Sequence, residues 1–229
     1  MLDTISYNTV LSSCGKGLQW QTALQVILSG CWVRFFFVHL ISYNTAISSC
    51  EKGSQWRMAC HLLEVIHRNI AIPDVVSYNA LISSAEKGLA WQWVLELLLQ
   101  MSTSVVVRPD VLSYNAVISS CEKGLQWQWA LHCYTIHVLL ISSPGIITYN
   151  SLLTAFDKSD APWPLALNLF SAASSAHVAP DALTFHAAVR CCCKGQGWER
   201  ALELLAGARK ELLRMELLRM AKGAHSYRE

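Results

Sequence analysis

The chain has 229 residues, and its 18 lysines and arginines nearly balance its 16 aspartates and glutamates, which leaves a net charge of +2. This balance excludes a globally basic surface, so a nucleic-acid function must depend on where the charges lie. Hydrophobic residues make up 53% of the chain and charged residues 15%. That composition fits a stacked array whose inner repeats are buried on both sides.

An aromatic residue followed by asparagine recurs along the chain at intervals of 35 or 36 residues. The copies are Tyr7-Asn8, Tyr43-Asn44, Tyr78-Asn79, Tyr114-Asn115 and Tyr149-Asn150, followed by the altered pair Phe185-His186. A fixed period of about 20–50 residues indicates a repeat array. We therefore predict one elongated domain over residues 1–222 and a frayed tail over residues 223–229. The predicted repeats span approximately residues 4–39, 40–74, 75–110, 111–145, 146–181 and 182–216, and a capping helix continues to residue 222.

Each repeat is predicted to form two helices. The first, helix A, is expected to begin at a serine or threonine directly before the aromatic residue, because these side chains cap helix N-termini. In the second copy, Tyr43, Ala46, Ile47 and Cys50 have the spacing of one buried helix face. A glycine after a lysine is expected to end helix A. The predicted caps are Ser6, Ser42, Ser77, Ser113, Thr148 and Thr184, and the glycines are Gly17, Gly53, Gly88, Gly124 and Gly195.

The second helix, helix B, is marked by a tryptophan, with a small residue three positions later in every copy except that of Val94. A large ring beside a small side chain lets two helices approach closely, so we interpret the pattern as packing, with base stacking as the alternative. Leu62-Leu63, Leu97-Leu98 and Leu204-Leu205 are predicted to continue this buried stripe. The tryptophans are Trp20, Trp56, Trp91, Trp127, Trp163 and Trp198, and the small residues are Ala23, Ala59, Ala130, Ala166 and Ala201.

Four of the nine cysteines occupy one repeat position, seven residues after the aromatic residue, where they are expected to act as small core hydrophobes. They are Cys14, Cys50, Cys121 and Cys192. The triplet Cys191-Cys192-Cys193 is interpreted as one buried cysteine with two neighbours. Because no Cys-x-x-Cys pair occurs, no zinc site is predicted, and we expect no metal and no cofactor. The absence of a disulfide framework favours a reducing compartment.

The most hydrophobic run, residues 26–41, is too short to span a membrane and contains Arg34 near its middle. We therefore expect no membrane association. The chain enters the first repeat directly from Met1, without a signal or transit segment, which leaves open whether it is a fragment. The aromatic run Phe35-Phe36-Phe37 also leaves open whether the first repeat folds in register.

The repeat unit resembles the pentatricopeptide repeat. The resemblance rests on Val75-Val76-Ser77-Tyr78-Asn79-Ala80-Leu81-Ile82, on Glu86-Lys87-Gly88, on the Glu-Leu-Leu of helix B and on the closing Pro109-Asp110, and it covers about residues 4–210. Tetratricopeptide repeats have a period of about 34 residues and a different Trp and Leu-Gly pattern. The resemblance implies an all-α fold, a right-handed alpha-alpha superhelix (α-solenoid) of helix-turn-helix repeats. It also implies single-stranded RNA binding with one base per repeat.

In this family the base edge is contacted by the residue after the helix-A aromatic and by the last residue of the repeat. The resemblance therefore implies two sets of base-reading residues, Asn8, Asn44, Asn79, Asn115, Asn150 and His186 in the first and His39, Asp74, Asp110, Gly145 and Asp181 in the second. Asn with a terminal Asp is similar to the family combination that favours uracil, which applies to repeats two, three and five. The Asn115/Gly145 pair should be weak, and the first and last repeats stay unassigned.

The implied target is approximately 5′-N-U-U-pyrimidine-U-N-3′. Chemistry supports this implication, because an Asn amide both donates and accepts hydrogen bonds. Uracil offers two carbonyl acceptors and one N–H donor on its pairing edge. The Asp can orient the amide by accepting from its NH₂ group, directly or through water. Local helix capping by a short polar side chain is the alternative interpretation of the Asn row.

Two further rows accompany the asparagines. The aliphatic residue two positions before the aromatic resembles the family's base-sandwiching position, with a hydrophobic staple against the helix as the alternative. These residues are Ile5, Ile41, Val76, Leu112, Ile147 and Leu183. A lysine recurs nine positions after the aromatic residue in all six copies. This row predicts contacts with the RNA phosphates; the alternative interpretation is that each lysine complements the dipole at the end of helix A. The lysines are Lys16, Lys52, Lys87, Lys123, Lys158 and Lys194, and the neighbouring Glu51, Glu86 and Glu122 offset their charge.

The leading hypothesis is a non-enzymatic RNA-binding protein of a chloroplast or mitochondrion, acting in RNA processing, stability, editing or translation. The alternative is a tetratricopeptide-like scaffold that binds proteins without reading bases. No catalytic residue is proposed, because the zinc-deaminase signature is absent and no acidic metal cluster follows Asp181. The expected partners of the monomeric protein are single-stranded RNA of about six uracil-rich or pyrimidine-rich nucleotides and other RNA-processing proteins.

Overall fold

The computed structural model describes residues 9–14, 20–32, 40–68, 72–140, 144–197 and 199–209, and in these ranges the regular secondary structure is entirely α-helical. The helices are α1, residues 9–14; α2, Trp20–Trp32; α3, Leu40–Lys52; α4, Trp56–Arg68; α5, Val75–Lys87; α6, Trp91–Thr103; α7, Val111–Lys123; α8, Trp127–Leu140; α9, Ile146–Lys158; α10, Trp163–Ser175; α11, Ala182–Lys194; and α12, residues 199–209. The predicted all-α fold of paired helices is confirmed.

The contacts divide the chain into two compact units, Met1–Ser142 and Ser143–Glu229. In the first unit the A helices form one layer, in which α5 contacts both α3 and α7. Helix α4 packs on its own A helix, α3, and on the next one, α5, and α6 packs in the same way on α5 and α7. Within this unit the pairs α3–α4, α5–α6 and α7–α8 thus stack in sequence order, as in other helical repeat proteins.

The second unit repeats this arrangement on a smaller scale. Helix α9 contacts both α10 and α11, and α10 also contacts α11. The one-domain organisation with a capping helix stays a prediction, because residues 210–229 lie outside the described part of the chain. Phe35-Phe36-Phe37 and Arg34 lie outside it as well. None of the described helices is long and apolar enough to cross a membrane.

The core consists of the predicted stripes. Tyr43, Ala46, Ile47 and Cys50 are at most 2% exposed. On the B helices, Leu62-Leu63 and Leu97-Leu98 are buried together with Val94 and with the small residues Ala23, Ala59, Ala130, Ala166 and Ala201. Leu205, in contrast, is 50% exposed and Leu204 only half-buried, so the prediction that this pair continues the stripe is wrong.

Three of the four repeated cysteines are core residues, as predicted. Cys50, Cys121 and Cys192 are fully buried, and Cys14 is half-buried. Burial raises the pKa of Cys50 to about 11 and that of Cys121 to about 12, so both thiols are protonated and unreactive at neutral pH. In the cysteine triplet, Cys191 is also buried and only Cys193 is exposed, which corrects the expectation of a single buried member.

Helix A begins earlier than predicted. The N-cap of α5 is Asp74, and Ser77 lies three residues inside the helix, where its backbone N–H donates to Asp74 Oδ1 at 2.8 Å. The Ser77 hydroxyl accepts in return from the Asp74 backbone N–H, which completes a capping box. The prediction was wrong because aspartate and serine are both strong caps, and the upstream residue captures the helix end.

The other copies follow the same correction. Asp110 caps α7 and Asp181 caps α11, with Ser113 and Thr184 in the capping boxes. Gly145 occupies the N-cap of α9 without a side-chain hydrogen bond, and Thr148 is inside that helix. Ser42 lies inside α3, and Ser6 is outside the described residues.

Glycine is needed at the end of helix A because a larger residue would overlap a neighbouring side chain, and not because the backbone there is left-handed. Gly88 has φ −83°, and the positive φ of 56° belongs to the next residue, Leu89. A Cβ atom on Gly88 would lie 2.2 Å from Trp56 Cδ1 of the preceding repeat. The tryptophan at the start of helix B therefore packs against the glycine that ends the next helix A.

This contact recurs along the chain. A Cβ atom added to Gly53 would lie 2.6 Å from Trp20. One added to Gly124 would lie 2.5 Å from Trp91, and one added to Gly195 would lie 2.0 Å from Trp163. The interpretation of the tryptophans as packing residues therefore agrees with the structure, which adds the glycine as a contact that sequence spacing did not indicate. Gly17 and Trp198 lie outside the described residues.

A buried histidine is expected to make the stability of the folded chain depend on pH. His137 of α8 is fully buried and stacks on Tyr114 at 5.2 Å between ring centroids, and its two ring nitrogens have no hydrogen-bond partner in the described structure. Burial lowers the pKa of His137 because the charged imidazolium loses its hydration. The unfolded chain therefore binds a proton at a higher pH than the folded chain does.

Stability should consequently be complete above about pH 6.5 and fall as the pH drops from there toward the lowered pKa, by at most about 1.4 kcal/mol per pH unit. We expect His137→Phe to remove this loss. Urea denaturation at pH 7.5 and 5.5 measures it, with the exposed His132 of the same helix as the matched control in His132→Phe. An identical pH response in His137→Phe and the original protein would contradict this assignment.

Candidate nucleic-acid interface

A hydrogen-bonded cluster links each described Asn–Asp pair across neighbouring repeats. In the first unit, Asn44 Nδ2 donates to Asp74 Oδ1 at 3.1 Å, and the Ser77 hydroxyl donates to Asn44 Oδ1 at 2.5 Å. Asparagine comes from helix α3, whereas the aspartate and serine belong to the N-terminus of α5. The capping box of one repeat thus also holds the asparagine of the repeat before it.

The same cluster occurs twice more. Asn79 Nδ2 lies 3.2 Å from Asp110 Oδ1, and the Ser113 hydroxyl lies 2.6 Å from Asn79 Oδ1. In the second unit, Asn150 Nδ2 donates to Asp181 Oδ2 at 3.0 Å, and the Thr184 hydroxyl donates to Asn150 Oδ1 at 2.7 Å. The sequence allowed a contact between Asp and the Asn amide directly or through water, and in repeats two, three and five the contact is direct.

The three carboxylates are held in their ionised form. Burial raises the pKa of Asp74, but hydrogen bonds from the Ser77 backbone, the Ser77 hydroxyl and Asn44 outweigh it, and the pKa of Asp74 lies below its usual range. The pKa values of Asp110 and Asp181 are lowered for the same reasons. An ionised carboxylate only accepts hydrogen bonds, so it faces the NH₂ side of the asparagine amide.

The aliphatic row is exposed to solvent. Its described members, Ile41, Val76, Leu112, Ile147 and Leu183, are between 57% and 67% exposed although each lies at the start of an A helix. A hydrophobic staple would bury these side chains, so their exposure disfavours that alternative. Exposed apolar side chains at one repeat position fit contact with a flat ligand such as a base.

Two members of this row border a groove in the first unit. The groove has a volume of about 450 Å³, and Ile41 and Val76 line it together with Asn44, Asp74 and Lys52. An apolar side chain from each of two successive repeats therefore lies beside one Asn–Asp pair. Helix α1 contributes Ser12 to the same lining.

The lysine row is largely engaged in ion pairs between repeats. Lys87 Nζ lies 2.8 Å from Glu51 Oε1, which also accepts from the Ser83 hydroxyl. Lys123 and Ser119 contact Glu86 in the same way, and in the second unit Lys194 and Arg190 contact Asp157. Glu51 and Glu86 therefore do more than lower the net charge of the chain, because each forms an ion pair with the lysine of the next repeat.

Some of the remaining predicted site residues lie in the described part of the chain, and others lie outside it. Lys52 is exposed and makes no ion pair with another described residue, and Lys158 is also exposed. Asn115 is half-buried on α7 and His186 is exposed on α11. Ile5, Asn8, Lys16 and His39 lie outside the described residues.

One set of residues in the clusters was missed by sequence analysis. The hydroxyls of Ser77, Ser113 and Thr184 contact the asparagines, whereas the sequence suggested only a capping role for them. The available signal was the recurrence of serine or threonine at this position in all six copies. Because helix capping was a sufficient explanation for that recurrence, the sequence offered no reason to expect the contact between the hydroxyl and the asparagine of the preceding repeat.

Two family models match parts of the chain. The family model of the pentatricopeptide repeat domain matches residues 61–123, and the PPR repeat model matches residues 5–29 and 41–69. No curated protein sequence matches the chain.

Solved structures show the same fold. The crystal structure of the pentatricopeptide repeat protein PPR10 in complex with an 18-nt psaJ RNA element is 20% identical with a TM-score of 0.67, over 89% of this chain and 30% of that chain. The crystal structure of PPR10 from maize is 18% identical with a TM-score of 0.58, over 92% of this chain and 39% of that chain. This chain thus spans well under half the length of PPR10.

A third structure is the PPR domain of Arabidopsis thaliana protein-only RNase P 1 in complex with tRNA. It is 11% identical with a TM-score of 0.66, over 84% of this chain and 96% of that chain. The matching family models, together with the repeat period and the stacked helix pairs, support a pentatricopeptide repeat protein.

Proposed function

We propose that the protein binds single-stranded RNA, with one base per repeat placed against the Asn–Asp pair. The observation that carries this proposal is the juxtaposition in the first unit of Asn44 and Asp74 with the exposed Ile41 and Val76 along one groove. Apolar side chains on both sides can contact the faces of a base while the amide contacts its edge. Two of the structures with the same fold, PPR10 and the RNase P domain, were solved with RNA.

The hydrogen-bonding capacity of the asparagine matches uracil. Asn79 has two N–H groups and two oxygen lone pairs, of which Asp110 engages one N–H and Ser113 one lone pair. One donor and one acceptor remain for a ligand. Uracil presents carbonyl acceptors next to an N–H donor, so a bidentate contact is available.

The phosphates would be contacted by lysines at the end of helix A. Lys52 is the strongest candidate among the described lysines, because it lines the groove and forms no ion pair with another described residue. Lys87 and Lys123 would have to share their charge with Glu51 and Glu86. We therefore propose a modest electrostatic contribution, smaller than six lysines alone would suggest.

In the cell, the proposed role is non-enzymatic binding of a short uracil-rich or pyrimidine-rich strand in a chloroplast or mitochondrion. A bound strand is shielded from nucleases and from pairing with other RNA, which would influence processing, stability, editing or translation. Other RNA-processing proteins would be recruited by the complex. The protein would bind as a monomer.

Titration of the full chain with short labelled RNAs tests the proposal. We expect fluorescence anisotropy to show tighter binding to a uridine-rich hexamer than to a scrambled hexamer of mixed bases. Raising the salt concentration should weaken binding, with a logarithmic slope of about −0.7 for each phosphate contact. Equal affinity for the two RNAs would contradict base reading, and a slope near zero would contradict the lysine contacts.

One observation favours a second function, a scaffold for a protein partner. A groove of about 300 Å³ on the B helices is lined by Leu95, Leu99, Trp129 and Ile136, and Trp93 is also exposed. An exposed apolar groove can receive the apolar face of a partner helix. Absence of binding to either RNA in the titration would favour this alternative.

A further inference from the structure

We propose that the buried hydroxyl three residues inside the next A helix fixes the orientation of each asparagine amide and thereby sets the preference for uracil over cytosine. The residues are Ser77 for Asn44, Ser113 for Asn79 and Thr184 for Asn150. The inference rests on the proposed RNA-binding function and adds to it a positioning residue that does not itself contact the base.

The contacts are the same in all three clusters. The hydroxyl oxygen lies 2.5, 2.6 and 2.7 Å from the asparagine Oδ1 in repeats two, three and five. Each hydroxyl-bearing residue is completely buried. Because no water competes for a buried hydroxyl, its proton must be donated to a protein acceptor.

Two acceptors are within reach, and the distances distinguish them. The same hydroxyls lie 2.9, 3.0 and 2.8 Å from the aspartate Oδ1, which is farther than the asparagine oxygen in every cluster. The aspartate Oδ1 already accepts the backbone N–H of the serine or threonine, at 2.8 to 2.9 Å. The hydroxyl also accepts from the aspartate backbone N–H, so its own proton is directed toward the asparagine.

This arrangement prevents the amide from turning over. In the observed orientation, the NH₂ group faces a carboxylate and the oxygen faces a hydroxyl donor. Rotation of the amide by about 180° would place its oxygen against the carboxylate and its NH₂ group against the donor. Both hydrogen bonds would be lost, and a buried unmatched group is costly.

Orientation matters because uracil and cytosine have opposite patterns at the same edge. Uracil presents a carbonyl acceptor beside an N–H donor, whereas cytosine presents an amino donor beside a ring-nitrogen acceptor. An amide held in one orientation complements one pattern and opposes the other. Without the hydroxyl only the aspartate contact opposes rotation of the amide, so the second orientation becomes more accessible, and selectivity should relax more than affinity.

The test uses the full chain carrying Ser77→Ala and Ser113→Ala, with labelled hexauridylate and hexacytidylate as probes. We expect the ratio of the two affinities to fall by about tenfold, on the scale of one hydrogen bond in each of two repeats. Affinity for hexauridylate itself should change less than the ratio does. Ser77→Thr with Ser113→Thr should retain the preference, since Thr184 makes the same contact in the third cluster.

A matched control removes two other buried hydroxyls from the same helices. Ser84 and Ser120 are buried on α5 and α7, and their hydroxyls have no hydrogen-bond partner in the described structure. Ser84→Ala with Ser120→Ala should leave the preference unchanged. Circular dichroism verifies that every variant is folded, and the single variant Ser113→Ala replaces the double variant if that one unfolds.

The outcomes separate the two proposals. If the original protein does not distinguish hexauridylate from hexacytidylate, the proposed base reading itself is wrong. If the original protein prefers hexauridylate and the folded serine-to-alanine variant keeps the same preference, base reading stands and the positioning role is wrong. Equal losses in the Ser84 and Ser120 control would also overturn it, because the effect would then be structural.

Discussion

Replacement of both Asn44 and Asn79 by alanine is expected to lower the affinity for uridine-rich RNA by at least about 30-fold. A bidentate contact to a base edge contributes about 1–3 kcal/mol, so the loss of two contacts removes about 2–6 kcal/mol of binding free energy. Both side chains are half-buried, and both contact the cap of the next repeat. Anisotropy titration with hexauridylate measures the change.

The asparagines are better targets than the aspartates. Asp74 and Asp110 also cap α5 and α7, so their replacement costs about 1 kcal/mol of stability as well as any binding energy. Asn168→Ala is a suitable control, because Asn168 is an exposed asparagine on a B helix. Affinity that is the same in the double variant and in the control would contradict base reading by these residues.

Replacement of Gly88 by alanine is expected to destabilise the protein by about 1–3 kcal/mol. The new Cβ atom would overlap Trp56, whose Cδ1 and Cγ atoms would lie 2.2 and 3.1 Å from it. These atoms are close to the tryptophan backbone, so the ring cannot move away without a shift of α4. Alanine restricts the unfolded chain and thereby stabilises by about 0.4–1 kcal/mol, which is smaller than the steric cost. Urea denaturation measures the difference.

A double-mutant cycle with Trp56→Leu isolates the contact. In the Trp56→Leu background, Gly88→Ala should cost much less, because the ring that it meets is gone. Gly207→Ala provides a control of opposite sign. Gly207 lies exposed in α12, and a Cβ atom there meets nothing within 4 Å, so alanine should stabilise the helix by about 1 kcal/mol. An unchanged denaturation midpoint in Gly88→Ala would contradict the packing role.

The repeat period, the two helices of each repeat and the buried stripes were predictable from the sequence. Each depends on spacing within one repeat, such as Tyr43, Ala46, Ile47 and Cys50, and local spacing sets which side of a helix is apolar. The start of helix A was predicted three residues too late. Asp74 and Ser77 are both good caps, and local preference does not rank two caps separated by one turn.

Contacts between repeats required the tertiary structure. From the sequence, the periodic Asn, Asp and lysine positions could be determined, whereas the role of each Asn–Asp pair as a base reader and its preference for uracil are expectations from the family resemblance and stay predictions. The tertiary structure decided that Ser77 also holds Asn44, that Lys87 is bound by Glu51 and that Gly88 makes room for Trp56. Each of these partners lies about one repeat away in sequence, where no spacing rule within a helix applies, and only the stacking distance between repeats determines which groups meet.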